Sequence, residues 1–324
     1  DLIPAGGGQN NTDFVADGSI TSGKPVVLTA AGKAAQVVQT SPAVTFAAGT
    51  PVEWNGDADS GGVSIAYDSS NQKVVVSYKN YYFTPSNAGG CIVGTVSGTT
   101  TSWGTPVVFS SGTVAHQTSI VFDSTNSKVV IAYRDTGDSN KGKAIVGTVS
   151  GTSISYGTAV EFESGATTDI AAAFGNGQVF ISYSDAGDSS KMKCIIGTVS
   201  GTAISFGSIA DSGLSTTLNS IPSYDSTANK FVVAFMDNVA SNIGTAVVAS
   251  VSGTTPSYGT PVTFSSNSVS SDPPPYFGVT YDSEADKTLI AYSDNSDSNK
   301  GYGIVATVSG TSLSYGTAVK FNDN

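Results

Sequence analysis

The sequence predicts an all-β fold: a six-bladed β-propeller of four-stranded antiparallel blades. Composition, a repeat near fifty residues, and a four-strand pattern inside each repeat lead there. Of 324 residues only 12% are charged, and Gly, Ser, Thr and Val recur throughout. That mixture suits strands and tight turns rather than helices. The pattern G-[ST]-x-[VA] starts at Gly49, Gly104, Gly157, Gly207, Gly259 and Gly316, at intervals of 55, 53, 50, 52 and 57 residues. A second anchor, Ser-Gly-Thr, starts at Ser97, Ser150, Ser200, Ser252 and Ser309. A period of this length matches a propeller blade, and no segment sustains a 3.6-residue apolar period.

Residues 1–12 read as an N-terminal extension, and the blades as 13–54, 55–109, 110–162, 163–211, 212–264 and 265–324. The third unit shows the elements most clearly. "TSIVFD" (118–123) is its first strand, and the turn "STNS" leads to "KVVIAYRD" (128–135), the second. "KAIVGTVS" (143–150) is the third and "SISYGTAVEF" (153–162) the fourth. The second and third are nearly all apolar, as strands covered on both faces are. The fourth alternates and carries more hydroxyls, as a half-solvated outer strand does. The first unit is degenerate. "FVADGSITSGKPVVLTA" (14–30) and "KAAQVVQTSPAVTFAAGTPV" (33–52) follow the blade spelling, but the loop between them is cut to two residues and Ser-Gly-Thr is lost. The alternative is a five-bladed propeller preceded by an N-terminal β-hairpin module.

Units of the form "NSKVVIAYRDTGDSNKGKAIVGTVSGTSISYGTAVEF", with the opening "AGGGQNNTDFVADGSITSGKPVVLTAAGKAAQV" (5–37), resemble repeats in structural and tail-associated proteins of marine bacteriophages, including cyanophages. The resemblance implies a component of the virion surface that meets other virion proteins, or a glycan or protein of the host surface. It brings no catalytic residues with it. Net charge is −11 and Arg134 is the sole arginine, which excludes a nucleic-acid binder that must displace counterions with clustered cations. No apolar run approaches the eighteen or so residues of a membrane span, so no membrane insertion is expected. The first residues lack a basic segment followed by an apolar one, so no signal peptide is expected either.

Few residues carry potential chemistry. His116 lies in a connection between units, without a second His to build a triad or metal site. Cys91 and Cys194 occupy the same position of the third strand in the second and fourth units, too far apart to bridge, and read as buried reduced thiols. Asp135, Asp185, Asp237 and Asp294 end second strands, and three of them open the loops "DTGDSN", "DAGDSS" and "DNSDSN". Asp135 with Asp138, Asp185 with Asp188, and Asp294 with Asp297 could offer oxygens to Ca²⁺, or simply satisfy their own loop amides. Asp68, Asp123, Asp225 and Asp282 are turn formers.

Variation concentrates in the connections that share one face with these acids. The second unit has "NYYFTPSNAGG" (80–90) in place of the acidic loop, and the sixth is preceded by "SSNSVSSDPPPYF" (265–277). Tyr81, Tyr82, Phe83 and Tyr276 are therefore the candidate ligand contacts, since aromatic loop residues offer area at low entropic cost. No catalytic set converges, so the sequence predicts a non-enzymatic attachment or decoration module. A saccharide-binding, lectin-like propeller is the alternative. A glycoside hydrolase would need two carboxylates set apart from the repeat, and the acids at the strand ends repeat with it.

Overall fold

The computed structural model describes residues 26–28, 33–36, 51–53, 60–81, 86–214, 217–269 and 277–322. The chain divides into two compact units, Asp1–Ala48 and Gly49–Asn324. In the first, Val26–Leu28 and Ala34–Gln36 pair antiparallel. These are the second and third strands of the degenerate repeat.

Among the described residues the second unit holds five four-stranded antiparallel sheets, one per remaining repeat. Sheet one contains Ser60–Asp68, Lys73–Asn80, Ala88–Ser97 and Thr100–Trp103. Sheet two takes its first strand from Val107–Asp123 and adds Lys128–Asp135, Lys141–Ser150 and Ser153–Tyr156. Sheet three likewise starts within Val160–Gly175 and adds Gln178–Asp185, Lys191–Ser200 and Ala203–Phe206. Sheet four is Thr217–Asp225, Lys230–Asp237, Ile243–Ser252 and Thr255–Tyr258. Sheet five is Phe277–Asp282, Lys287–Asp294, Lys300–Ser309 and Ser312–Tyr315. Among the described residues the only helix is the 3₁₀ turn Asn295–Asp297. No helix there is long and apolar enough to cross a membrane.

Two details depart from the sequence reading. The fourth strand predicted over 153–162 is split. Ser153–Tyr156 pairs with Lys141–Ser150, the chain breaks at Gly157, and pairing with the same strand resumes at Val160 opposite Ala144. The connection between units is then not a loop. Val160–Gly175 runs on, with register shifts, to pair with Gln178–Asp185 in the next sheet. Val107–Asp123 does the same, so His116 belongs to a strand, within the shift between Val114 and Thr118, and not to a surface loop.

The break has a packing cause. A Cβ on Gly157 would lie 1.9 Å from the carbonyl oxygen of Thr202, in the third-to-fourth-strand turn of the next sheet. Gly104 meets Thr152, Gly207 meets Thr254 and Gly259 meets Thr311 in the same way. Each of those threonines ends a Ser-Gly-Thr triplet, whose glycine takes a positive φ. The two sequence anchors are therefore the two sides of one contact between adjacent sheets.

The core lies between sheets. Each of four large apolar clusters joins one sheet to the next, for example Val130, Val146 and Phe162 against Ile181, Tyr183 and Ile195. In sheets one, two and four a Phe of the outer strand packs on a Tyr of the following sheet: Phe109 on Tyr133 at 5.1 Å, Phe162 on Tyr183 at 5.3 Å, Phe264 on Tyr292 at 5.3 Å between ring centroids. The rings lie over Gly89, Gly142 and Gly244, where a Cβ would come within 2.4 Å of them. Sheet three has no such Phe, and Met192 stands buried where the others have glycine. Cys91 and Cys194 are buried and unbridged. Burial pushes both thiols up to about 12, beyond the range in which a thiolate forms at neutral pH.

Candidate functional site

In an antiparallel four-stranded sheet the first-to-second and third-to-fourth turns lie at one end, and the second-to-third connections lie at the other. The first end is uniform. Asp68 and Asp123 each accept from two amides of their own turn, and Asp282 does the same. These turn-forming assignments are structural.

The other end carries a repeated acid–lysine cassette. Asp135 closes a second strand, and its Oδ1 accepts from Gly137 N at 3.0 Å. Ser139 and Asn140 follow at φ 55° and 62°, and Lys141 N donates back to Asp138 O. This left-handed pair turns the chain into the third strand and brings Lys143 over the acids. Its Nζ is 2.9 Å from Asp135 Oδ2 and 2.7 Å from Asp138 Oδ2. Lys141 bridges Asp138 and Glu161. Sheet three repeats the arrangement, with Lys193 at 2.6 Å from Asp185 and 3.2 Å from Asp188, and Lys191 on Asp188 and Asp211. In sheet five a tyrosine replaces the central lysine. Tyr302 OH donates to Asp297 at 2.6 Å, and Lys320 reaches the same oxygen from the outer strand. Asp294 accepts there from Ser296 and Asn267.

The electrostatics follow. The Lys143 hydrogen bond, with Lys141 behind it, holds Asp138 below the usual carboxylate range, and Lys191 and Lys193 do so for Asp188. Lys320 and Tyr302 bring Asp297 down to about 2. Burial disfavours the Lys143 ammonium, but its bonds to Asp138 and Asp135 prevail and its pKa rises. The lysine thus stands where the sequence suggested Ca²⁺. Among the described residues no group of three or more His, Cys, Asp or Glu is placed to hold a metal ion. Sequence reasoning missed these lysines, although the recurring Lys-x-Lys at 141–143 and 191–193 was the available signal. It also missed Glu163, buried between sheets, which accepts from Tyr183 OH at 2.9 Å and from Gly165 N at 2.8 Å.

Sheets one and four lack the cassette: in sheet four Ile243 and Thr245 stand at the lysine positions, and Asp237 accepts from the amides of its own loop. Sheet one departs further. Asn80 replaces the acid, and Tyr81 begins the divergent loop, half-buried, with Lys79 Nζ 4.8 Å from its ring centroid. Arg134, on the neighbouring sheet, donates to Thr167 O. Burial and the nearby guanidinium lower the Lys79 pKa. Among the described residues neither cation has a carboxylate partner. Tyr82, Phe83 and Tyr276 lie outside the described residues.

No family model and no curated protein matches the chain. Solved structures do. A sialidase designated Hadza microbial sialidase Hz136 superposes with a TM-score of 0.51 at 10% identity, over 82% of this chain and 59% of its own length. A variant lectin of Aleuria aurantia in complex with Fucα1-6GlcNAc gives 0.45 at 16% identity, over 82% and 79% of the two chains. A GH43 glycoside hydrolase gives 0.46 at 10%, over 83% and 54%. The chain thus spans 59% of the sialidase with which it shares its architecture. At 10% identity the likeness to the sialidase is one of fold alone: an all-β chain of four-stranded antiparallel sheets, each packed on the next.

Proposed function

We propose that the chain is a non-enzymatic binding module that contacts saccharide at a host surface, as an exposed component of a phage particle. The observation that carries this reading is the interruption in sheet one. Where sheets two and three place an acid–lysine cassette, sheet one places Lys79 over Tyr81 at the start of an aromatic loop, with the Arg134 guanidinium near Lys79. Aromatic faces stack on sugar rings, and cations bind their acidic substituents. Asp135, Asp138, Asp185 and Asp188 are committed to lysines, which argues against acid–base work by these carboxylates. The virion assignment rests on the resemblance of the repeats to phage structural proteins. The scaffold presenting this face is read as a six-bladed ring, with residues 13–54 as one blade.

A glycan array followed by titration tests the binding. Saturable binding is expected, and Tyr81→Ala should weaken it at least about tenfold with the melting temperature unchanged, the scale of losing a hot-spot aromatic. No saturable binding at millimolar ligand, or polysaccharide turnover, would refute the reading. Mass spectrometry of purified virions tests the location, and absence of the chain would remove it.

A further inference from the structure

Charge is not spread evenly over this chain. None of its 25 acidic residues falls between Asp68 and Asp123, the longest acid-free run in the sequence. That run holds Lys79 and the divergent loop, and it ends within the first strand of sheet two. Lys79 and Arg134 occupy the same place in successive repeats, one residue before the end of the second strand. Ser184, Met236 and Ser293 occupy it in sheets three, four and five, so neither cation belongs to the repeated scaffold. Other cations at this end are matched. Lys141, Lys143, Lys191, Lys193, Lys300 and Lys320 each meet an Asp. Among the described residues Lys79 and Arg134 meet none.

Successive side chains of a strand point to opposite faces. Asp135, next to Arg134, therefore lies on the other side of its strand, where Lys143 holds it at 2.9 Å. Arg134 Nη1 donates to Thr167 O over a long 3.4 Å, and its Nε is buried with no hydrogen-bond partner among the described residues. A buried guanidinium donor left open, near a second cation, is an arrangement that an anion completes. Burial and this guanidinium also lower the Lys79 pKa, as happens where a charge is held close to one of its own sign. We propose that the ligand of this face is an acidic saccharide, whose carboxylate or sulfate group lies against Lys79 and Arg134 while a sugar ring stacks on Tyr81. The net charge of −11 makes the rest of the surface repel such a ligand, which confines its contact to the acid-free region. This inference rests on the saccharide-binding reading of the same site and names the class of saccharide.

Calorimetric titration of the full chain tests it with two pairs of probes. Oligogalacturonate and dextran sulfate are acidic; methyl-esterified oligogalacturonate and dextran are their neutral counterparts. At least one acidic probe should bind saturably and more weakly as salt is added, with its neutral counterpart at least about tenfold weaker. Lys79→Gln and Arg134→Gln should each weaken the acidic probe by at least about tenfold, the scale of losing one partner of a charged contact. Lys73→Gln removes the same charge at the opposite end of the same strand and should leave binding unchanged. Lys79 is partly exposed, so Lys79→Gln decides the matter should Arg134→Gln fail to fold. Preference for oligogalacturonate would assign a carboxylate, and preference for dextran sulfate a sulfate ester; either supports the proposal. Equal binding of acidic and neutral probes, or an equal loss in Lys73→Gln, would overturn it and leave saccharide binding standing. A neutral glycan bound on an array while both acidic probes fail would do the same. No binding to any probe or arrayed glycan would overturn the saccharide reading as well.

Discussion

Asp297 receives Lys320, Lys300 and the Tyr302 hydroxyl on one half-buried carboxylate, and is thereby brought down to about 2. An unfolded Asp titrates near 3.9, so the folded form holds its proton less tightly. The sign follows: the contribution is fully present above about pH 4 and is lost as pH falls through about 2. Asp297→Asn should therefore lower the melting temperature slightly at pH 6, with the difference from the unaltered chain shrinking below pH 4 and vanishing near pH 2. Thermal scans across that range check it, and a difference that stays constant with pH would remove the ion pairs as its source. The same loops show why cation ligands and ion-pair partners read alike in a sequence. Acids spaced for Ca²⁺ and acids spaced for a lysine eight residues on look alike until the left-handed turn at Ser139 and Asn140 folds the lysine back.

The contact between a glycine and the next sheet's threonine carbonyl governs the element scale. Gly157→Ala puts a methyl group against backbone, which cannot swing aside as a side-chain tip would. A loss of about 1–3 kcal/mol is expected from such overpacking. Gly316→Ala changes the same motif in sheet five, where space is open, and should stay within about 0.5 kcal/mol. Urea denaturation of the two variants checks the pair, and equal losses would mean that the motif serves its own strand rather than its neighbour. Strand positions were legible in the sequence because period-2 alternation and Asp-led turns are local signals, and both anchors could be read without knowing that they touch. The split at Gly157 and the strands running through into the next sheet were not legible. The split depends on a carbonyl some forty-five residues away, and the run-through on pairing with the next sheet, neither of which a local pattern reports. The Met192 substitution is similar: its buried side chain makes sense only once sheet three is seen to lack the phenylalanine that covers glycine in the other sheets.

At the scale of the whole array, the sheets are not joined alike. Val107–Asp123 and Val160–Gly175 each pair with two sheets, so a single hydrogen-bonded ladder runs through sheets one to three. Among the described residues sheets four and five form ladders of five strands each, linked to one another by the single bridge Val269–Asp294. Sheet four holds to sheet three through packing and scattered side-chain bonds, chiefly Phe180 stacked on Phe231 at 4.6 Å within the cluster of Val233, Phe235, Ile196 and Ala173. In repeat arrays cooperativity is carried by such nearest-neighbour interfaces, and it fails first where one of them is weakened. Phe231→Ala should remove about 3–5 kcal/mol, the usual loss for a buried Phe. Because the loss falls at the junction where the ladder is broken, it should act on coupling as well as on stability. Calorimetry of the unaltered chain should show one transition, and Phe231→Ala should split it, with exchange assigning the lower step to residues 217–322. Phe162→Ala, a similar truncation inside the continuous ladder, should lower the temperature without splitting. A single shifted transition in both variants would show that packing alone couples the sheets, and that the continuous strands add nothing to it.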